Sequence, residues 1–174
     1  MPRLAPLAAL LRTTLAAVVV VSAFLAAGAV SATAAPRLAV LEFRLINTSP
    51  LPDTAAEKAR LVSLTRQLQS ALATSGRYRL LDPAQVEAAQ KNEPGAADCG
   101  SCAAALARKL GAGLVAMDYV QKVSDLILNI NVIIEDARTG KMVGGGSADI
   151  RGNTDLSWQR GLAFLLSNYG LVGG

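Results

Sequence analysis

The spacing of apolar residues changes several times along the chain, and each change marks an element. Leu15 to Val30 is an apolar run rich in Ala and Val. Arg37 to Leu45 reads RLAVLEFRL, apolar and then alternating, which predicts a strand at the edge of a domain. Asn47 to Asp53 holds two prolines and is a loop. Thr54 and Glu57 form a capping box, and Leu61, Leu64, Leu68 and Leu72 then recur at helical spacing to about Thr74. Gly76 suits the end of that helix. Tyr78 to Leu81 reads as a short strand. Pro83 opens a helix through Gln90, since proline fits a first helical turn. Lys91 to Gly100 is a loop, and Ser101 to Leu110 an Ala-rich helix stopped by Gly111.

The second half alternates with period two. Leu114 to Val123, Asp125 to Asp136 and Met142 to Arg151 are predicted strands, the last two joined by a turn at Ala137 to Lys141. Gly144 to Gly146 should bend or bulge the last strand. Thr154 caps a final helix, with Trp158, Leu162, Leu165, Leu166 and Tyr169 on its apolar face. The order β-α-β-α-α-β-β-β-α defines an α/β (α+β) fold, a mixed sheet with helices packed on it. Its last three strands should form an antiparallel meander.

The leading apolar run changes what counts as the folded protein. Arg3 and Arg12 precede it, and Ser31-Ala32-Thr33-Ala34-Ala35 follows it. A basic start, an apolar stretch and an A-x-A site are the series a signal peptidase reads. Residues 1–34 are therefore expected to be a secretory signal peptide cut between Ala34 and Ala35, with 35–174 a single domain. A retained anchor is the alternative, although the run falls short of the roughly 20 residues that span a bilayer. No Cys closes the run, which argues against lipidation. Location is then periplasmic or secreted, with membrane contact only during export. Of the 17 basic and 13 acidic residues, two arginines leave with the leader, so the domain is nearly neutral. Scattered basic residues without interleaved aromatics exclude a nucleic-acid partner.

Candidate chemistry is sparse. The chain has no histidine, which removes Ser-His-Asp and Cys-His catalysis and His-liganded zinc. Cys99 and Cys102 form a C-x-x-C where a helix begins. In an exported protein this reads first as a disulfide. A helix N-terminus also lowers a thiol pKa, so a redox role stays open. Zinc would need two further ligands, with only carboxylates such as Asp98 nearby. Asn129 and Asn131 interrupt the most apolar strand, opposite in phase to Leu126, Leu128, Ile130, Val132 and Ile134. Ser147, Asp149 and Arg151 share a face of the next strand. Should the two faces coincide, a polar surface results, and a partly solvated sheet face is the simpler account. Arg151 to Asp155, with Trp158 and Arg160 beyond, is either a turn with a helix cap or an anion site at a helix N-terminus. Thr139-Gly140-Lys141 lacks the upstream glycines of a phosphate loop. Glu135 and Asp136 point to opposite faces of a strand and make no catalytic pair. No catalytic residue, cofactor or metal is expected.

The run RLAVLEF, the helix ending SGRYRLLD, the segment KLGAGLVAMDYVQKV and the hairpin DARTGKMV together resemble the N-terminal domain of the periplasmic Tol-Pal protein TolB and CsgG-type secretion lipoproteins. The pattern spans most of residues 37 to 145 and implies a TolB N-terminal-like α/β domain. The chain shows neither the propeller of TolB nor the lipidated cysteine of CsgG-type proteins, so the resemblance implies a fold rather than an activity. QKVSDLILNINVIIEDARTGK and SADIRGNTDLSWQRGLAFLL resemble a family of small secreted bacterial proteins of unknown function. The reading that follows is a non-enzymatic interaction or accessory domain with an envelope or periplasmic protein partner. A thiol-disulfide accessory and a periplasmic small-ligand binder are the alternatives.

Overall fold

The computed structural model describes residues 34–172, so the expected signal peptide lies, up to Thr33, outside the described residues. In chain order the elements are β1 (Arg37–Val40), β2 (Arg44–Asn47), α1 (Ala55–Thr74), β3 (Arg79–Leu80) and α2 (Pro83–Asn92). A 3-10 turn (Pro94–Ala97) then leads to α3 (Gly100–Lys109), β4 (Leu114–Ala116), β5 (Tyr119–Lys122), β6 (Ile127–Asp136), β7 (Met142–Arg151) and α4 (Asp155–Asn168). This is the mixed α/β architecture the pattern implies. β1 lies parallel to β3 and β4, β2 parallel to β5, and β6 antiparallel to β4, β5 and β7.

Two strands read as continuous are each divided, for different reasons. Val40 pairs with Ala116 but Arg44 with Tyr119, so the first strand holds one residue more than its neighbour. That surplus is a bulge at Leu41 to Phe43, which separates β1 from β2. A bulge frees backbone donors, and side chains from two helices take them. Glu42 N–H donates to Gln90 Oε1 of α2 at 3.0 Å, and Phe43 N–H to Thr65 Oγ1 of α1 at 3.0 Å. The break between β4 and β5 keeps its register instead, since Ala116 faces Ile134 and Tyr119 faces Asn131. There the Asp118 side chain accepts the Ile133 N–H at 3.2 Å, in place of a ladder carbonyl.

Smaller corrections follow from local hydrogen bonds. Ser124 Oγ accepts the N–H groups of Leu126 and Ile127, so Asp125 and Leu126 form a turn before β6. Leu126 is 71% exposed and stands outside the apolar face assigned to it. The segment 91–100 is not all loop, because α2 runs to Asn92 and the 3-10 turn follows. Tyr169 lies beyond α4 and is exposed. β7 and the final helix cap fall where the pattern puts them, with Thr154 and Ser157 reciprocally bonded.

The sheet is packed on both faces, unequally. One cluster joins Leu64, Leu68 and Leu72 of α1 and Trp158, Leu162 and Leu165 of α4 to Leu128, Ile130, Val132 and Ile134 of β6. Each fully buried Leu there contributes roughly 2 kcal/mol of burial. The second cluster joins α2, the 3-10 turn and α3 to Ala39, Leu41 and Val115. It draws on β1 and β4 but takes nothing from β2, β5, β6 or β7. Among the described residues, the second face is therefore sheathed at one end of the sheet and bare at the other.

Candidate functional site

The bare end is where the sequence-derived polar residues meet. β6 and β7 pair Asn129 with Asp149, Asn131 with Ser147 and Ile127 with Arg151. Period-two alternation puts all six on the uncovered face. They are bonded to one another: Asn129 Nδ2 donates to Asp149 Oδ1 at 2.7 Å, Asn131 Nδ2 to Asn129 Oδ1 at 2.5 Å, and Ser147 Oγ to Asn129 Oδ1 at 2.9 Å. The amides and the carboxylate are thus held in one arrangement before anything binds. β5 and β2 extend the rows with Tyr119 beside Asn131 and Arg44 beside Tyr119, and with Gln121 beside Asn129 and Ile46 beside Gln121. Ile46, Val123 and Ile127 are exposed apolar residues on this side. Sequence reasoning missed Tyr119, Gln121 and Ile46. The signal was present, because Tyr119 and Gln121 alternate with the buried Val120 and Lys122.

The other proposed surface residues divide. Arg151 and Arg160 are exposed. Trp158 is buried at 1% and so presents nothing to solvent, a correction to its place in a surface. Its Nε1 donates to Asn153 Oδ1 at 3.0 Å, and the same oxygen accepts from Arg60 Nη1 at 3.0 Å. Arg60 also bonds Asp155 at 2.7 Å and lies 5.8 Å from the Trp158 ring centroid. Asn153 and Asp155 therefore tie α1 to α4. Their partners lie within the fold, as the capping reading of this segment implies.

Beneath these groups is an ion pair that the sequence did not announce. Lys122 alternates onto the buried face of β5, and Glu57 is the third residue of α1. Lys122 Nζ lies 2.7 Å from Glu57 Oε1, with both side chains essentially without solvent, and 3.0 Å from Asp125 Oδ1. Asn153 Nδ2 donates to Glu57 Oε1 at 2.6 Å, and Thr54 N–H to Glu57 Oε2 at 2.7 Å. Burial alone would raise the Glu57 pKa. The bonds from Lys122, Thr54 and Asn153 outweigh it and bring the carboxyl down to about 2. The bonds to Glu57 and Asp125 push the Lys122 pKa up against its burial, the Glu57 bond contributing most. Both groups stay charged around neutrality and are paired with each other. They serve the fold more readily than proton transfer.

Cys99 and Cys102 are joined in a disulfide, Cα to Cα 5.2 Å, at the start of α3. Both are exposed. Cys99 Sγ also accepts the Cys102 N–H, so the bridge caps the helix. Asp98 is paired with Arg44 at 3.1 Å. Among the described residues, no group of three His, Cys, Asp or Glu could hold a metal ion. Among them too, no helix is long and apolar enough to cross a membrane.

A mixed sheet with α1 and α4 on one face and shorter helices partly covering the other is the fold of LpoB C-terminal domains. The domain from Salmonella enterica is similar at a TM-score of 0.50 and 22% identity, covering 75% of this chain and 92% of that one. The Escherichia coli domain gives 0.51 and 21%, with the same coverage. Lipoprotein GNA1162 from Neisseria meningitidis gives 0.46 and 21%, covering 69% and 83%. No curated protein matches. Residues 36–169 match the DUF3280 family, described as "Protein of unknown function (DUF2380)", and the chain belongs to that family.

Proposed function

We propose that this protein is an exported, non-enzymatic interaction domain that works in the bacterial cell envelope, most simply the periplasm, and binds a protein partner on the bare end of its sheet. One observation carries this reading. Asn129, Asn131, Ser147 and Asp149 form a prebonded polar network that no helix of the described residues covers, flanked by exposed Ile46, Val123 and Ile127. Fixed polar groups beside apolar ones suit a protein surface, because partner side chains meet donors and acceptors already oriented. Of the polar residues on this face, Ser147, Asp149 and Arg151 line a groove against α4 at the β7 edge, whereas Asn129 and Asn131 lie outside it, so the network itself suits a broad surface better than a small ligand. Export is supported by the leader pattern and by a disulfide, which persists in oxidising compartments. The likeness to LpoB domains supports the fold, and the resemblance to TolB and CsgG-type domains belongs to the same envelope reading.

The test is site-specific photocrosslinking in the producing cell, with a probe at Ile46, Gln121 or Asn131 and a control probe at Val62 on α1. A discrete adduct from the sheet positions and none from Val62 is the expected result. Equal labelling from all positions, or none, rejects the face. A second reading rests on the exposed Cys99–Cys102 bridge at a helix N-terminus, a setting that activates thiols. Rapid exchange of the bridge with a dithiol at neutral pH would favour it, and resistance to reduction would remove it.

A further inference from the structure

The outer edge of β7 is the sheet's second unfinished surface; it shares Asp149 and Arg151 with the face discussed above but offers backbone groups that the face does not. Gly152 N–H donates to the Leu126 carbonyl, continuing the ladder past the end of β7. Even-numbered residues of β7 therefore turn their backbone groups to β6, and odd-numbered ones turn theirs outward. Tyr169 confirms the parity, since its hydroxyl donates to the Ser147 carbonyl at 3.2 Å. Its ring also covers Gly146, where an added Cβ would fall 2.5 Å from Cγ. The edge is thus occupied at Ser147. Among the described residues, the outward groups of Asp149 and Arg151 have no strand beside them, as β7 pairs there only with β6.

We infer that this half-edge pairs antiparallel with the same half-edge of a second copy, about a two-fold axis at Ile150. A strand edge with free donors and acceptors is a template for another strand, and three features select a copy of itself. The first is register. Tyr169 occupies Ser147, so pairing must centre on the last residues of β7. The register that sets Asp149 opposite Arg151 does so while using only outward backbone groups. The second is charge. In that register each Asp149 carboxylate faces an Arg151 guanidinium of the other copy, twice over, as a two-fold contact demands. The third is the helix beneath. An added Cβ on Gly161 would lie 2.4 Å from Ile150 Cγ2 and 2.9 Å from Ile130 Cδ1, so α4 runs directly under β6 and β7 at the level of the axis. Two copies joined at β7 would hold their α4 axes about two strand spacings apart, ~10 Å, the distance at which helices pack.

The surface that such a contact would cover is already concave and partly apolar. A groove of about 420 Å³ runs between the backbone of Ser147 to Arg151 and the α4 residues Ser157, Arg160, Gly161 and Phe164. Phe164 is 53% exposed and Leu156 55%. Phe164 lines the groove and is left in water by the single copy and covered by the pair.

The test is sedimentation of the exported, processed protein from ~1 µM to ~1 mM, the range in which a contact of modest area associates. A concentration-dependent dimer is expected. Arg151→Asp and Asp149→Arg should each weaken it by ~10-fold or more, because like charges then face one another across the strands twice. The double variant D149R/R151D restores opposite charges and should restore the dimer. Phe164→Glu should also weaken it. A monomer throughout overturns the inference, as does a dimer indifferent to all four variants. Should a variant fail to fold, hydrogen exchange on the unaltered protein decides. The Asp149 and Arg151 amides should gain protection as concentration rises, and unchanged rates reject the edge. Crosslinking at Ile46 or Asn131 reports on the face alone, so either proposal can fail without the other.

Discussion

At the scale of single residues, two buried acids act in opposite directions. Glu57 has its folded pKa lowered from 4.5 to about 2. Its contribution is present above the unfolded value and is lost as pH falls from 4.5 toward 2, about 3 kcal/mol in all. Lys122→Ala should be severe, costing about 3–5 kcal/mol, because it leaves a carboxylate buried without its partner. Replacing both, as in E57Q/K122M, should cost clearly less than K122A, and chemical denaturation of the three proteins measures this. Asp118 is the reverse case. It is 1% exposed, one oxygen takes the Ile133 N–H, and the other has no partner. Burial pushes its pKa well above the ordinary carboxylate range, only partly opposed by the Ile133 bond. The folded state then holds a proton that the unfolded state has released. Asp118 stabilises at low pH and loses that contribution as pH rises from about 4 toward its raised pKa. Asp118→Asn keeps the acceptor and removes the charge. It should raise stability at pH 8 by about 1–2 kcal/mol and flatten the pH profile. A variant less stable than the parent at pH 8 would overturn this account.

At the scale of elements, the bulge between β1 and β2 is held by side chains rather than by a neighbouring strand. Thr65 Oγ1 accepts the Phe43 N–H and donates to the Leu61 carbonyl at 3.0 Å. Thr65→Val preserves shape and strands a buried N–H. The expected cost is about 1–3 kcal/mol, read as a lower Tm, with Thr65→Ser recovering most of it. A Val variant as stable as the parent would show that the bulge needs no such acceptor. The bulge matters beyond itself, because it redirects β2 to pair with β5 and so brings Arg44 and Ile46 to the uncovered rows.

At the scale of the whole molecule, the helices are distributed so that one sheet face is complete and the other half finished. Any partner surface follows from that asymmetry. It also accords with the proposed export, since an exposed sheet end and a surface disulfide suit a compartment outside the cytoplasm. Cleavage between Ala34 and Ala35 should leave Ala35 as the first residue. Intact mass of the exported protein checks this, and a mass that includes the apolar run would indicate a retained anchor.

The sequence by itself determined the elements with strong local signals. The capping box at Thr54, the cap at Thr154, the Leu stripe of α1, and the alternation of β6 and β7 are decided by contacts a few residues apart. That Asn129 and Asn131 share a face was legible for the same reason, but their coincidence with Asp149 was not, because the pairing slips by one residue between Ile134 and Glu135 and that bulge decides which face of β7 meets them. Tertiary structure alone decided the rest. The division of the first strand depends on one surplus residue relative to a partner more than 70 positions away. The Glu57–Lys122 pair joins a helix to a strand 65 positions on. Trp158 could have faced water or the core, and the packing of α1 against α4 settled it. Local patterns say which way a side chain points from its own element, whereas only the assembled sheet says what waits on the other side, or that nothing does.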